Sequence, residues 1–578
     1  MNKNVNDNSA SMKLMCNNPH LPTTRKEMIT RGWRELDILL VTGDAYFDHP
    51  THGAAVIGRV LEAAGYRVGI IARPQWKSSD DFLCMGRPTL FAGVTAGAVD
   101  SMLNNFTADL KKRRSDVYAP GGIGGGRPNF ATLVYCNKLR EVFPALPIIL
   151  GGVEASTRRF AYWDYSKKSL RRSILVDSRA DLLVYGPGEI QAREVADRLA
   201  SGNNLEGILG TARLTRNFEQ TKATVLPSFE ALQLKPEYLF EQTKILERAA
   251  IPGANKKLSQ KYAEGIIISE PAPIVTTQKL DSVFELPFNR RAHPSYPKSI
   301  PALEIVQWSV TSHRGCPGGC SFCALAIHQG RGVVSRSRHS ILKEIEQLAA
   351  TPDFKGIISD VGGPTANAYS AISQNAEACH KCKRSSCLYP KICKHLDTSH
   401  KPLLRILEDA QKIKRVKRVL LASGIRHDLA LHDRDFIEQV AAKHTGGHLK
   451  VAPEHVHPNI LKTMRKPSIE RFEEFERIFK AASLKAKLKQ YLVPYFITAF
   501  PGCGRTESAA VEYWLAGRGQ RLQQVQNFIP LPGTYAAALY ALGCTETGHK
   551  VFIPSLLERK RQKNALIGQH EKKWSTQS

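Results

Sequence analysis

Residues 37–71 read DILLVTGDAYFDHPTHGAAVIGRVLEAAGYRVGII, and their pattern decides the fold of the first part of the chain. Asp37 to Thr42 is a short apolar run of strand length. Ala54 to Ala64 carries apolar residues at helical spacing and stops at Gly65, and Arg67 to Ile71 is again apolar and β-branched. Strand, helix and strand in this order form the repeating unit of a parallel sheet. The unit recurs through Leu90 to Val94, the helix Ala131 to Val142, Pro147 to Leu150, Leu182 to Tyr185 and the helix Gln191 to Leu199. The expectation is an α/β fold that begins with a Rossmann-like, doubly wound parallel sheet over residues 34–214, after a flexible lead-in at 1–33. Such sheets bind ligands at the carboxyl ends of their strands, where Gly151 and Gly152, and Gly186 and Gly188, fall.

Two loops in this region invite a ligand reading. Gly121 to Gly126 (GGIGGG) looks like a phosphate loop, but no Lys-Ser/Thr pair follows and no strand leads into it, so a flexible loop is the better reading. Asp48, His49 and His52 hint at the Asp-x-His-x-x-Gly signature of cobalamin domains. The spacing departs from that signature, so cobalamin stays open but disfavoured.

The chain has 578 residues, more than one core normally supports. It has no apolar run of membrane-span length and no apolar secretory leader, which points to the cytoplasm and away from membranes. Of its 12 cysteines seven crowd into 316–393, and in a reducing compartment that crowding points to metal. Lys and Arg number 81 against 53 Asp and Glu, a net +28, which keeps RNA or the ribosome in play as a partner through phosphate contacts. The runs Lys111 to Arg114, Lys412 to Arg418 and Arg559 to Lys563 also fit solvated helix surfaces.

Residues 215–300 read as an irregular, Pro-rich connector, and a second domain follows at 301–545, with a basic tail at 546–578. Six strand candidates are expected there: Ile305 to Val310, Gly356 to Ser359, Arg418 to Ser423, His448 to Ala452, Gln490 to Phe500 and Gln524 to Phe528. Ser468 caps a helix that puts Ile469, Phe472, Phe475, Ile478 and Phe479 on one apolar face. Strand and helix units in series give a partial (β/α)6 barrel, whose chemistry belongs at the carboxyl ends of its strands.

Cys316, Cys320 and Cys323 follow the first of these strands closely. A four-iron four-sulfur cluster normally takes one cysteine per iron, so three thiolates in one tight loop leave one iron free for a chelating molecule. Gly318 and Gly319 let the loop wrap without Cβ clashes. A second group, Cys379, Cys382, Cys387 and Cys393, lies in an insertion at 366–400. Four thiols suit either structural zinc or an auxiliary four-iron four-sulfur cluster, with His380, His395 and His400 as nearby bystanders. The insertion is also a candidate lid over the barrel mouth.

Cys-x3-Cys-x2-Cys with Phe322 before the last cysteine resembles the radical S-adenosylmethionine (SAM) signature. Nearly the whole chain is similar to the YgiQ-type radical SAM proteins, through VTGDAYFDHPTHG (41–53), GGVEASTRRFAYWDY (151–165), RRSILVDSRADLLVYG (171–186), ISDVGGPTAN (358–367), the four-cysteine insertion, SGIRHDLA (423–430) and APEHV (452–456). The resemblance implies a [4Fe-4S] cluster and SAM as cofactors, reductive cleavage of SAM to a 5′-deoxyadenosyl radical, and an electron donor such as flavodoxin or ferredoxin. It further implies that Phe322 lies against adenine and that Gly362 and Gly363 present backbone to the methionyl amine. Pro364 stands where the family pattern has an acidic residue, with Asp360 as an alternative. Ser423, Arg426 and Glu454 become mouth residues for ribose or carboxylate, and the tail ending at Ser578 is expected to be abbreviated. The resemblance supplies no substrate and no catalytic acid or base. The competing class is a zinc-binding adaptor, or a nucleic-acid-binding protein, in which both thiol groups only staple loops.

Overall fold

The structure is a computed structural model that describes residues 19–216, 223–251, 253–254, 256–522 and 524–567. Residues 1–18, with Cys16, and the end of the tail lie outside the described residues. From residue 19 the expected flexible lead-in is ordered. Thr24 and Glu27 close a capping box on the helix Arg25–Thr30, and Leu21 and Met28 are buried.

The first sheet has nine strands: β1 Ile38–Thr42, β2 Val68–Ala72, β3 Phe91–Thr95, β4 Ile148–Leu150, β5 Leu182–Val184, β6 Thr211–Thr215, β7 Thr224–Val225, β8 Leu258–Tyr262 and β9 Gly265–Ser269. Their spatial order is β2-β1-β3-β4-β5-β6-β9-β8-β7. The first five are parallel, as the near-continuous apolar runs of β1, β2 and β4 require of strands covered on both faces. Two separate apolar clusters, one on each face of the sheet, confirm the double winding. The connector expected at 215–300 is not irregular: β8 and β9 form an antiparallel hairpin that extends the sheet through β6, and Tyr238–Ala249 is an amphipathic helix.

The second domain arranges its strands in an arc in sequence order. Ser309–Thr311 pairs in parallel with Asp360–Gly362, Ile357–Ile358 with Arg418–Val419, Ile425 with Val451, His448–Glu454 with Tyr491–Thr498, and Ile497–Thr498 with Gln526–Asn527. The first strand starts later than expected. Pro301 opens and Glu304 supports a helix over Pro301–Val306, so residues 305 and 306 are helical. The helix Ile469–Lys485 buries Phe472, Phe475 and Phe479 in the core behind the arc.

The basic runs are not the helix faces expected. Lys111 to Arg114 is an exposed loop, and Lys412 to Arg418 spans a helix end, a turn and a strand start. Only Arg559 to Lys563 is helical, and there Arg559 is buried, donating to Asp109 Oδ1 (3.1 Å), the Ala108 carbonyl (3.0 Å) and the Phe528 carbonyl (2.8 Å). It ties the last described helix to the first domain. No described helix is long and apolar enough to cross a membrane.

Burial holds several histidines neutral. His52, His328 and His400 are lowered from 6.5 to about 4, with burial as the first cause in each. Below pH 6.5 the unfolded chain takes up protons that these buried rings refuse. Their contribution is therefore present above 6.5 and is lost as the pH falls toward 4, by about 1.4 kcal/mol per pH unit per ring. Calorimetric melting at pH 7 and pH 5 is expected to give a clearly lower Tm at pH 5, and an unchanged Tm would mean that these rings are not buried neutral.

Candidate active site

The loop Cys316 to Cys323 leaves the short strand His313–Arg314 at the carboxyl end of the barrel's first strand. Its backbone is gripped from three sides. Ser386 Oγ donates to the Gly318 carbonyl, the Cys387 N–H donates to the Pro317 carbonyl (3.0 Å), and the Ser321 N–H donates to the Met464 carbonyl (3.1 Å). Gly319 has φ +60°, and a Cβ there would stand 2.1 Å from the Ser385 carbonyl oxygen. The glycine is needed for both the turn and the contact. The four-cysteine insertion thus lies directly on the three-cysteine loop.

Arg426 reaches the loop from the third strand's end. Its Nη1 lies 3.6 Å from Cys320 Sγ, and a Cβ on Gly318 would come within 2.8 Å of that nitrogen and 3.4 Å of Cys316 Sγ. Asp428 takes Nε and Nη2 of the same guanidinium in a two-point pair at 3.1 and 2.6 Å. Asn367 fixes the backbone of Arg426, accepting from its N–H at 2.8 Å and donating to its carbonyl at 3.0 Å. Burial works against the charges of both partners, yet Asp428 holds Arg426 above its ordinary value and Arg426 holds Asp428 below its own. Burial also raises the Cys316 thiol, against the pull of Arg426, and pushes Cys323 up to about 12. Thiols in this state give up protons to a metal rather than to solvent.

Gly362 and Gly363 end the second strand, and neither leaves room for a side chain. A Cβ on Gly362 would meet Ser423 Oγ at 1.9 Å, and one on Gly363 would meet the His313 ring at 2.5 Å. Asp360 is engaged in bracing the neighbouring loop, accepting from the N–H groups of Ala422 (2.7 Å) and Ser423 (3.2 Å) and from Ser423 Oγ. Glu454 is half buried at the fourth strand's end, 4.0 Å from Lys466, and burial raises its carboxyl. Its φ of +72° is unusual for a glutamate and coincides with a register shift between Val451 and Glu454, the kind of local strain that collects at functional sites.

Phe322 packs edge-to-face on Phe500, with ring centroids 6.4 Å apart. Sequence reading passed over Asn367, Asp428, His313 and Lys466, although the first two lie inside the stretches that carry the family resemblance. It also passed over Arg331, whose guanidinium donates to the Arg384 carbonyl (2.7 Å) and lies 3.5 Å from Cys387 Sγ. His400 is buried and stacked on Phe436 at 4.2 Å, so it does not face solvent, whereas His380 is exposed, beside Gly253. Among the described residues no three His, Cys, Asp or Glu side chains gather closely enough to grip one metal ion.

Residues 20–309 match the Radical SAM N-terminal family and residues 310–504 match the Radical SAM superfamily. UPF0313 protein YgiQ of Escherichia coli K12 is 40% identical over 621 residues, covering 96% of this chain and 84% of that protein. The chain belongs to the YgiQ family. It is a radical SAM enzyme. A UPF0313 protein of Methanosarcina mazei is 41% identical over 585 residues and covers 94% of this YgiQ-family chain and 93% of its own. Among solved structures, TsrM from Kitasatospora setae with cobalamin and a [4Fe-4S] cluster bound is 15% identical, with TM-score 0.53, covering 92% of this chain and 91% of that one. A second TsrM structure, with tryptophan and a SAM analogue, gives 16% identity and TM-score 0.51. The likeness is one of fold, and it extends over both domains of the YgiQ-family chain.

Replacing Arg426 by Met leaves Asp428 buried without its cation, and is expected to lower unfolding stability by about 3–5 kcal/mol. Adding Asp428→Leu is expected to recover most of that loss in denaturant melts, but not the iron content of the purified chain. Recovery of both would show that the pair has no bearing on the thiol loop.

Proposed function

We propose that Cys316, Cys320 and Cys323 would hold a [4Fe-4S] cluster, three thiols for four irons leaving one iron for SAM. The observation that carries this reading is the Arg426 guanidinium pressed on Cys320 beneath Gly318, a fixed buried cation beside a three-thiol loop in which a Cβ would not fit. When bound, cluster and SAM together supply one-electron cleavage of the sulfonium to a 5′-deoxyadenosyl radical. The chain's own residues do the rest. Arg426 offsets the anionic charge of the thiolates, Gly362 and Gly363 offer backbone to the methionyl amine, and Ser423 and Glu454 stand where ribose hydroxyls or the amine are met. Phe322 bounds the adenine side, with Phe500 behind it. The insertion, resting on the cysteine loop, keeps bulk water from it.

For Cys379, Cys382, Cys387 and Cys393 the reading is a second cluster rather than zinc. It is supported by the shared backbone contacts with the first loop and by Arg331, which opposes the rise that burial imposes on the Cys387 thiol. The electron is proposed to come from flavodoxin or ferredoxin. An RNA or ribosomal substrate rests on the net +28 and the exposed run Lys111 to Arg114.

Cobalamin is left out of this reading. In a sheet ordered 2-1-3-4-5 the ligand crevice is the switch point between β1 and β3. Here Arg127 crosses it, donating to Asp44 Oδ1 and to the Ala96 carbonyl, each at 2.6 Å. A Cβ on Gly97 would lie 2.3 Å from the Asp44 carboxylate. Asp48 is paired with Arg59 at 2.6 Å, His49 with Arg290 at 2.9 Å, and His52 is buried against Phe47 at 4.4 Å. These side chains fit each other and not a corrin.

Alanine at Cys316, Cys320 and Cys323 together is expected to abolish 5′-deoxyadenosine formation under anaerobic, reducing conditions, and persistent product would overturn the assignment. Iron and sulfide analysis of anaerobically prepared chain is expected to give about eight of each per chain. About four would remove the second cluster, and zinc without sulfide would favour the adaptor class.

A further inference from the structure

A cavity of about 360 Å3 opens between the carboxyl end of β5, the hairpin of β8 and β9, and the helix Leu325–Gln329. One wall is the sequence Tyr185-Gly186-Pro187-Gly188 leading into the helix Glu189–Ala200, 12 residues long. Gly186 and Gly188 have φ of +82° and +88°, so this wall is backbone that side chains would strain. Gly188 is the N-cap and has no side chain with which to cap, so the first-turn amides face the cavity end without a side-chain acceptor. Glu189 lies on this wall too, but it is ion-paired with Arg314 at 2.5 Å.

The second observation is Arg159. It lines the same cavity, is 7% exposed, and its Nε and Nη1 have no hydrogen-bond partner among the described residues. Its guanidinium carbon lies over the Tyr185 ring, 3.7 Å from the centroid, and Tyr185 is held in turn by donating to the Glu270 carbonyl at 2.6 Å. The adjacent Arg158 is paired with Asp100, and Arg59, Arg127, Arg290 and Arg426 each face a carboxylate. Arg159 faces none among the described residues. A buried cation left without an anion is destabilising unless something supplies the charge.

We propose that this cavity binds a small organic anion carrying a phosphate or carboxylate group, held by Arg159 and by the first-turn amides of the helix Glu189–Ala200. Both the cation and the helix terminus select negative charge, and they converge on one opening. The remaining wall mixes the apolar Ile327, Val334 and Pro273 with Lys256 and Lys279, so it suits an anion with a short apolar body behind its charged head. The site adjoins the three-cysteine loop, since Ala250, Ala326 and Ile327 border both, but its anion-holding groups, Arg159 and the helix terminus, are not part of that loop.

The test is thermal melting of the full, cluster-loaded chain in inorganic phosphate, in succinate and in chloride, matched in ionic strength. Wild type is expected to melt higher in phosphate if the head is a phosphate, or in succinate if it is a carboxylate, and dose dependence gives the affinity. Arg159→Gln is expected to weaken that affinity at least ten-fold, while in chloride it melts at or above wild type because an unpaired buried charge has been removed. Arg159→Lys is expected to retain part of the response. The proposal is overturned if wild type responds to neither ion beyond chloride. It is also overturned if Arg159→Gln keeps the response, or if it melts well below wild type in chloride, since Arg159 would then be a structural support for Tyr185.

Discussion

A buried ion pair organises the centre of this protein. Arg426 is held by Asp428 on one side and by Asn367 through its backbone, and so presents a fixed guanidinium edge to Cys320. Because that edge is fixed, Gly318 must lack a side chain. Because Gly319 lacks a side chain, the Ser385 carbonyl can pass close over it, and Ser386 and Cys387 come near enough to donate to the Gly318 and Pro317 carbonyls. The four-cysteine insertion is thereby seated on the three-cysteine loop. Electrostatics and sterics act together: the same cation that opposes the burial-raised Cys316 thiol also determines which residues fit around it.

Much of this was legible in the sequence, for reasons particular to each element. The strands of the first sheet announce themselves because parallel strands covered on both faces are apolar throughout, as in Ile38–Thr42 and Ile148–Leu150. The cysteine spacing announces its chemistry because three thiols in eight residues have few other uses. What failed was reading across distance. Residues 215–300 look irregular because the hairpin Leu258–Tyr262 and Gly265–Ser269 gains its stability from an edge contributed by Thr211–Thr215. The first barrel strand was placed early because Ile305 and Val306 favour strands, while Pro301 and Glu304 impose a helix start. At the site, Asn367, Asp428 and Arg331 are ordinary polar residues until the fold sets them beside Arg426 and Cys387. Sequence gives no signal of such partnerships beyond adjacency in the Arg426-His-Asp428 run.

The first domain displays two contrasting ways of treating the ends of its strands. At the switch point between β1 and β3, Arg127 is paired with Asp44 and Asp116, and the loop after β1 is fixed separately by the Asp48–Arg59 pair. At the end of β5, an arginine is buried without such company and a cavity remains. The glycines that sequence reading noted at strand ends therefore play different parts. Gly152 and Gly97 permit tight packing against Thr95 and Asp44, whereas Gly186 and Gly188, both at positive φ, supply backbone to the wall of the cavity.

The seating of Arg559 on the first domain bears on how anything enters. Its contacts with Asp109 and the Ala108 carbonyl bolt the far end of the barrel to the loop beyond β3, and Lys244 with Glu546 adds a second tie between the two halves. With both ends fastened, the domains are poorly suited to parting like jaws. The cysteine-rich insertion is itself tied down at the mouth, through Ser386 to Gly318, Cys387 to Pro317 and Arg331 to Arg384, so body and insertion together frame a preformed opening.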